Sequence, residues 1–281
     1  MQQLCHHKLP AIRKTNSLPF SPNAVKGKKQ VQPRVLQHIV TCSSVQKGAD
    51  IMAENRPPMD YAWQGKSLDS FIEEHKQWVE TKGIDGERAV IVGADLTGVN
   101  LEYADLRASI FEECNFTEAN LLSVTFRGAS LRKSLLVRAS MRWAILRFSD
   151  LAGADFSEAD LRSVDFQEAD MRKVCLSGAV LEEAVLIGAN LEGAVLSDVS
   201  LELADLREAN LTGAVLTGAS LLAANLKDAD LEGADLTDAV DVDLERLVQA
   251  KTLYQAKLDE EVLKAVQNAF PQLLLKPSSQ P

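Results

Sequence analysis

Ala204-Asp205-Leu206-Arg207-Glu208-Ala209-Asn210-Leu211-Thr212-Gly213 repeats itself after five residues: a small residue, Asp or Asn, Leu, then two variable positions. Stepping outward by five from Leu206, the repeat centres run from Leu96 to Leu236. These 29 positions hold 22 Leu, 5 Phe and 2 Met. Two residues before each centre, the positions from Ala94 to Ala234 hold 20 Ala and otherwise only Val, Ser or Cys. No insertion or deletion shifts the phase. Such fixed-period self-similarity belongs to architectures in which each unit buries its apolar face on its neighbours.

A period of five suits neither an amphipathic helix nor a simple strand. Each step of five rotates a helix by about 500°, so an apolar stripe would wind around it, and a strand alternates every two residues. A square coil solves the problem, with one pentapeptide per side and four per turn. The centre and the small residue before it then both point inward, and Ala is required because four walls converge on a narrow axis. Stacked at the strand spacing of roughly 4.8 Å, seven such coils make a rod about 34 Å long. Aromatics at only 5% fit a thin core of this kind.

The runs Ala154-Asp155-Phe156-Ser157-Glu158, Ala204-Asp205-Leu206-Arg207-Glu208 and Ala209-Asn210-Leu211-Thr212-Gly213 resemble the A(D/N)LXX consensus of the pentapeptide-repeat family. The lead-in from Glu74-His75-Lys76-Gln77-Trp78 through Gly83, Gly86, Arg88 and Ala89 is similar to that of cyanobacterial and plastid members. The resemblance implies an all-β solenoid, a right-handed quadrilateral β-helix of pentapeptide repeats. It implies a fold more than a function, because one fold hosts many roles.

The rest of the chain divides around the coil. Residues 1–55 read as a disordered leader, 56–88 as a linker and N-terminal helix, 89–240 as the β-helix, 241–275 as a C-terminal helical segment and 276–281 as a disordered tail. Within 67–83, Ser70 and Glu73 form a capping box, Leu68, Phe71, Ile72, Trp78 and Val79 keep a helical period, and Gly83 is a stop. Residues 243–250 and 259–269 read as two further short helices. Open solenoid ends expose core and unpaired strand edges, so these helices are expected to be short α-helical caps at both ends.

Residues 1–49 contain no Asp or Glu but carry Lys8, Arg13, Lys14, Lys26, Lys28, Lys29, Arg34 and Lys47 among scattered Ser and Thr. That is the composition of an organelle transit peptide. Val40-Thr41-Cys42-Ser43 resembles a chloroplast processing site, with the stroma favoured and the thylakoid lumen a further possibility. In the alternative, Met52-Ala53-Glu54 starts a bacterial cytoplasmic protein. Cys5, Cys42, Cys114 and Cys175 show no CxxC and no pairing pattern, which favours a reducing compartment.

Candidate chemistry is sparse. His75 is the only histidine beyond the leader, the acids flank repeat centres on outward positions, and the recurrent Gly two residues after a centre fits coil corners. No catalytic residue, metal site or cofactor is expected. The formal net charge of −10 and pI near 5.0 argue against direct nucleic-acid binding. No stretch is long and apolar enough for a transmembrane segment.

Charge is uneven along the rod. Between Ala119 and Ser149 there is no acid, whereas Leu181 to Asp238 carries 12 acids against Arg207 and Lys227. The acid-free band adds Leu135, Val137, Trp143, Ile145 and Phe148 at outward positions to Arg127, Arg138, Arg142 and Arg147. Apolar and aromatic side chains mixed with Arg are what interface centres are made of. These nine residues are the candidate partner-binding set. The chain is expected to be a non-enzymatic scaffold in the chloroplast, stromal or peripheral to the thylakoid, binding a protein partner on its flat walls. Two alternatives stand: a DNA-mimicking binder of gyrase or topoisomerase, which the resemblance suggests for an acidic rod, and a structural spacer or assembly factor for a thylakoid complex. Composition leaves the oligomeric state open.

A fluorescent fusion of residues 1–60 is expected to enter plastids with cleavage near Cys42; retention in the cytosol would exclude the plastid address.

Overall fold

The computed structural model describes residues 67–277. The leader 1–55, the first part of the 56–88 linker and the last four residues of the tail lie outside the described residues. The elements are helix α1 (Leu68–Glu80), strands β1 (Val90–Val92) and β2 (Ile110–Glu112), helices α2 (Leu244–Leu247) and α3 (Glu260–Ala269), and a 3-10 turn (Pro271–Leu274). Between β2 and α2 the chain is regular without being long-stranded. Single-residue parallel bridges link each repeat to the one 20 residues on, as in Asp160 to Val180 to Ser200, so each coil is four pentapeptides and has four walls. All 29 centres are buried, the most exposed being Leu101 at 7%.

The backbone accounting explains the consensus. In the repeat at 190–194, the Asn190 N–H donates back to Ala169 O at 2.9 Å, and Leu191 and Gly193 N–H donate forward to Asn210 O and Thr212 O at 2.7 and 2.9 Å. Ala194 N–H closes a turn onto Leu191 O at 3.0 Å. Glu192 N–H donates to Asn190 Oδ1 at 3.2 Å. All five donors are satisfied, three of them between coils, as burial of backbone requires. Every one of the 16 Asp and Asn residues preceding a centre makes this same side-chain bond to the N–H following it. Read from sequence as solvated surface, they are also backbone ligands of the turn.

The second residue after a centre has positive φ at all 29 corners, of which nine are Gly and 20 are not. A left-handed residue at this point is what a hydrogen-bonded turn of the type II kind needs. Glycine adopts it freely, and other residues adopt it at a cost of roughly 1 kcal/mol or more. Inward Ser residues replace Ala only with their hydroxyls bonded: Ser109 and Ser149 Oγ donate to Leu106 O and Leu146 O, and Ser134 Oγ to Phe111 O, all at 2.6 Å.

At the N-terminal end, Ser67, not Ser70, is the N-cap of α1, because the Ser67 hydroxyl accepts the Ser70 N–H at 3.3 Å. Phe71 and His75 are the buried residues of α1. The His75 Nδ1 accepts the Ala89 N–H at 3.0 Å, a donor that has no preceding coil to bond. Trp78 stacks on the imidazole at 5.6 Å between centroids. The returning chain passes so close to α1 that a Cβ on Gly86 would lie 2.2 Å from Glu74 O, so only glycine fits.

At the other end, stacking runs past Val240: Asp230 bridges Thr252 and Asp235 bridges Lys257, now 22 residues on. The two extra residues and α2 break the five-residue phase, so counting by five misses this last partial coil, whose Leu253 is fully buried. Leu253 N–H then donates to Leu273 O at 2.8 Å, and Val266 of α3 is buried against the same core. Of the described cysteines, Cys114 is a buried free thiol whose pKa burial pushes up to about 11.

Ala189 is fully buried on the axis, so Ala189→Leu is expected to lower stability by roughly 1 to 3 kcal/mol in thermal or urea unfolding. Burial holds the His75 pKa below its ordinary 6.5, opposed by Arg107 carbonyl and Asp105 and reinforced by Arg88 and Arg107. The folded state thus disfavours the proton, and stability present above pH 6.5 is expected to fall as pH drops through that value towards the depressed pKa. Urea midpoints measured across this window in wild type and His75→Gln check it: the variant should lose the slope.

Candidate functional site

Residues 20 apart stack, so the coil can be read as four walls and four corners. Wall 1 passes through Leu96, Phe116 and Leu136; wall 2 through Leu101, Leu121 and Met141; wall 3 through Leu106, Phe126 and Leu146; wall 4 through Phe111, Leu131 and Leu151. The two residues after each centre form the corner to the next wall. On this frame the nine candidates do not share a face. Leu135 is on wall 1, Val137 and Arg138 turn from wall 1 to wall 2, Arg142 and Trp143 turn from wall 2 to wall 3, Ile145 is on wall 3, and Arg127, Arg147 and Phe148 turn from wall 3 to wall 4. Leu135 and Ile145, half a coil apart, point to opposite sides of the rod. Leu135 and Val137 are moreover half-buried.

The structure gathers six of the nine around wall 3: Arg127, Arg142, Trp143, Ile145, Arg147 and Phe148. It also extends that group. Among residues 94–239, the exposed large apolar side chains are Tyr103, Trp143, Ile145, Phe148, Leu203 and Leu222. Every one lies on wall 3 or one of its two corners. Tyr103, Leu203 and Leu222 were missed from sequence because they lie 40 to 80 residues from Trp143 along the chain; the 20-residue column arithmetic was the signal that could have found them. Trp143 is 53% exposed and Tyr103 68%. Trp143 and Phe148 also occupy left-handed corner positions, each with φ of 59°. Bulky side chains there are uncommon and carry backbone strain.

Electrostatics follow from which residue precedes each centre. Where it is Asp, the Arg two residues on folds back onto it: Arg162 Nε donates to Asp160 Oδ1, Arg172 Nε to Asp170 Oδ1 and Arg207 Nε to Asp205 Oδ1, each at 2.8 Å. The arginine hydrogen bonds hold all three carboxyls below the ordinary carboxylate pKa. In the acid-free band the preceding residues are Thr125, Ser140 and Ile145, so Arg127, Arg142 and Arg147 lack that partner. Their guanidiniums turn to aromatic faces instead. Arg142 sits 4.7 Å from the Trp143 ring, and Arg127 and Arg147 lie 5.6 and 5.7 Å from the Phe148 ring. Arg147 also faces Asp165 at 3.6 Å, and Arg138 pairs with Glu118 at 2.7 Å. Arg142 Nε is buried without a hydrogen-bond partner.

On the diagonally opposite corner, Arg132, Lys133, Arg172 and Lys173 flank a notch of about 380 Å³ floored by Ala152 and Gly153. Arg132, Lys133 and Arg172 are already paired with Asp150, Glu113 and Asp170. Among the described residues no group of three or more His, Cys, Asp or Glu is placed to hold a metal, and no helix is long and apolar enough to cross a membrane.

The family described as pentapeptide repeats matches in eight copies over residues 94–133, 139–178, 165–213 and 204–240, together just over half of the 281 residues. No curated protein matches the chain. Among solved structures, QnrB1, a plasmid-mediated fluoroquinolone resistance protein, is 18% identical over 68% of this chain and 100% of its own, with a TM-score of 0.47. A pentapeptide repeat protein from the Arabidopsis thaliana thylakoid lumen is 29% identical over 42% of this chain and 74% of its own, with a TM-score of 0.33. HetL, involved in heterocyst differentiation regulation in the cyanobacterium Nostoc sp., is 28% identical over 60% and 84% respectively, with a TM-score of 0.23.

Proposed function

The chain belongs to the pentapeptide-repeat family, and from that premise we propose that it is a non-enzymatic scaffold which binds a protein partner on wall 3. The carrying observation is that between residues 94 and 239 every exposed large apolar side chain lies on this wall or its corners, the exposed Val90, Val92 and Val240 elsewhere being confined to the two ends of the coil. A rod whose turns are also made by Gly, Ser or Glu has no structural need for Trp143 and Phe148 at strained, exposed corners. Arginine stacked on an exposed aromatic is a recurrent hot-spot arrangement. A non-catalytic role fits the acids: those before repeat centres accept backbone N–H groups, and at Asp160, Asp170 and Asp205 an arginine hydrogen bond also holds the carboxyl below its ordinary pKa.

The coil is right-handed in this reading, and α1, α2 and α3 serve as its end caps, keeping the strand edges from pairing with other chains. The acid-free leader supports a chloroplast address in this reading, stromal or peripheral to the thylakoid. The acidic half between Leu181 and Asp238 supports the second reading, mimicry of nucleic acid towards a topoisomerase, while the guanidiniums of wall 3 oppose it.

Affinity capture from chloroplast extract tests the assignment. Trp143→Ala with Arg142→Glu is expected to abolish capture without unfolding the rod, since truncation at a hot spot weakens binding by about 2 kcal/mol or more. Glu232→Lys with Asp238→Lys, away from wall 3, should leave capture intact. Loss in the second pair and retention in the first would move the interface to the acidic half and favour mimicry.

A further inference from the structure

Seven corners stack between walls 2 and 3. Their tips read, from the N-terminal end, Glu102-Tyr103, Leu122-Ser123, Arg142-Trp143, Arg162-Ser163, Glu182-Glu183, Glu202-Leu203 and Leu222-Ala223. Turned end for end about the point midway between Arg162 and Glu182, the first residues of the tips from Leu122 to Leu222 fall on one another with their charges reversed. Leu122 meets Leu222, Arg142-Trp143 meets Glu202-Leu203, and Arg162 meets Glu182. We propose that this edge pairs with the same edge of a second copy of the chain, antiparallel, across a two-fold axis at that midpoint. The inference rests on the reading of wall 3 and its corners as an interaction surface and names the occupant of one corner.

The unmet groups on the edge support it. Arg142 makes no ion pair among the described residues, its Nε is buried without a hydrogen-bond partner, and its guanidinium is braced on Trp143. Glu182 and Glu202 make no ion pair among the described residues either, whereas Arg162 is held by Asp160. In the antiparallel pair each Arg142 reaches Glu202 of the second copy, and the operation repeats the contact, as an isologous interface must. Trp143, the largest exposed side chain on this edge, falls beside Leu203 of the second copy. Parallel pairing would set Arg142 on Arg142 and Glu202 on Glu202, which like-charge repulsion forbids.

The corner between walls 4 and 1 also sets Arg132 on Glu232 and Arg172 on Glu192 when turned end for end, but there both arginines are already paired, with Asp150 and Asp170, and other corners lack the reversal. Between walls 3 and 4 the corner reads Arg107, Arg127, Arg147, Gln167, Ile187, Arg207, Lys227 at its first position, and turned end for end it sets Arg127 on Arg207. At roughly 4.8 Å per coil the pairing seam from Leu122 to Leu222 is about 24 Å long. One corner's width over that length buries less than the roughly 1,000 Å² of a stable interface. A weak, reversible dimer that dissociates on dilution and in high salt is the expected behaviour.

Sedimentation equilibrium of the full chain across the micromolar range provides the test, with circular dichroism to confirm that each variant is folded. Arg142→Glu alone and Glu202→Arg alone should each weaken the dimer by at least about tenfold, because each sets like charges face to face twice. The double variant Arg142→Glu, Glu202→Arg should restore it to within about threefold, since the charges are exchanged but still opposed. Mixing Trp143→Cys chains with Leu203→Cys chains should give a mixed disulfide that Trp143→Cys chains alone do not form. A wild-type chain that stays monomeric, or a double variant no better than the singles, overturns the inference. If in that case Trp143→Ala with Arg142→Glu still abolishes capture of another protein, wall 3 remains the interaction surface. If capture is also unaffected, both the inference and the reading beneath it fail.

Discussion

The constraint on which the rod depends is that each pentapeptide must turn a right angle and still leave no backbone donor unmet. The left-handed residue at every corner makes the turn, and the four-residue hydrogen bond closes it. Three N–H groups per repeat then point along the axis to neighbouring coils. The remaining one, just after the centre, points to neither coil nor turn, and the Asp or Asn two residues earlier receives it wherever one is present. The consensus is therefore a hydrogen-bond budget written in side chains. Small residues allow the walls to meet, large ones fill the axis, and Asx residues complete the turns.

The same rule shapes the surface. A carboxylate installed to hold a turn also captures an arginine two residues on, so most of the rod neutralises its own cations. Where Thr, Ser or Ile replaces it, between Ala119 and Ser149, the turn forms without the Asx bond and the local arginines are released. They come to rest on Trp143 and Phe148, which occupy the corners where glycine would be least strained. A lapse in a structural pattern thus brings backbone strain, apolar exposure and an arginine without an ion pair together at Arg142-Trp143. Rules of local consistency are commonly broken at working sites.

The ends of the rod show the same accounting under different terms. The first coil has no predecessor to take its donors, and His75 accepts one of them through Nδ1. The last coil has no successor, and the Leu273 carbonyl accepts the Leu253 N–H. One helix and the 3-10 turn thus supply an acceptor each at the two ends. The buried histidine accepts through an unprotonated Nδ1, so the bond at this end of the coil requires the neutral imidazole.

The repeat register, the inward pair of positions and the four-walled stacking were all legible in the residues, because a strict period of five is compatible with few backbones and every Leu, Phe and Ala in the series votes for the same one. Trp143, Arg142 and their neighbours were legible as an anomaly of composition. What the chain order concealed was adjacency. Leu135 and Ile145 are ten residues apart yet face opposite ways, whereas Trp143 and Leu203 are sixty apart on one corner, and only the stacking of coils ranks these separations correctly. Likewise the extra coil past Val240 was hidden by two inserted residues, and the cap at Ser67 by a better-looking box at Ser70. Sequence determines a repeat whose interactions recur at constant spacing; tertiary structure decides where that spacing is broken and which distant corners are brought together, because those outcomes depend on the sum of many turns and not on any one of them.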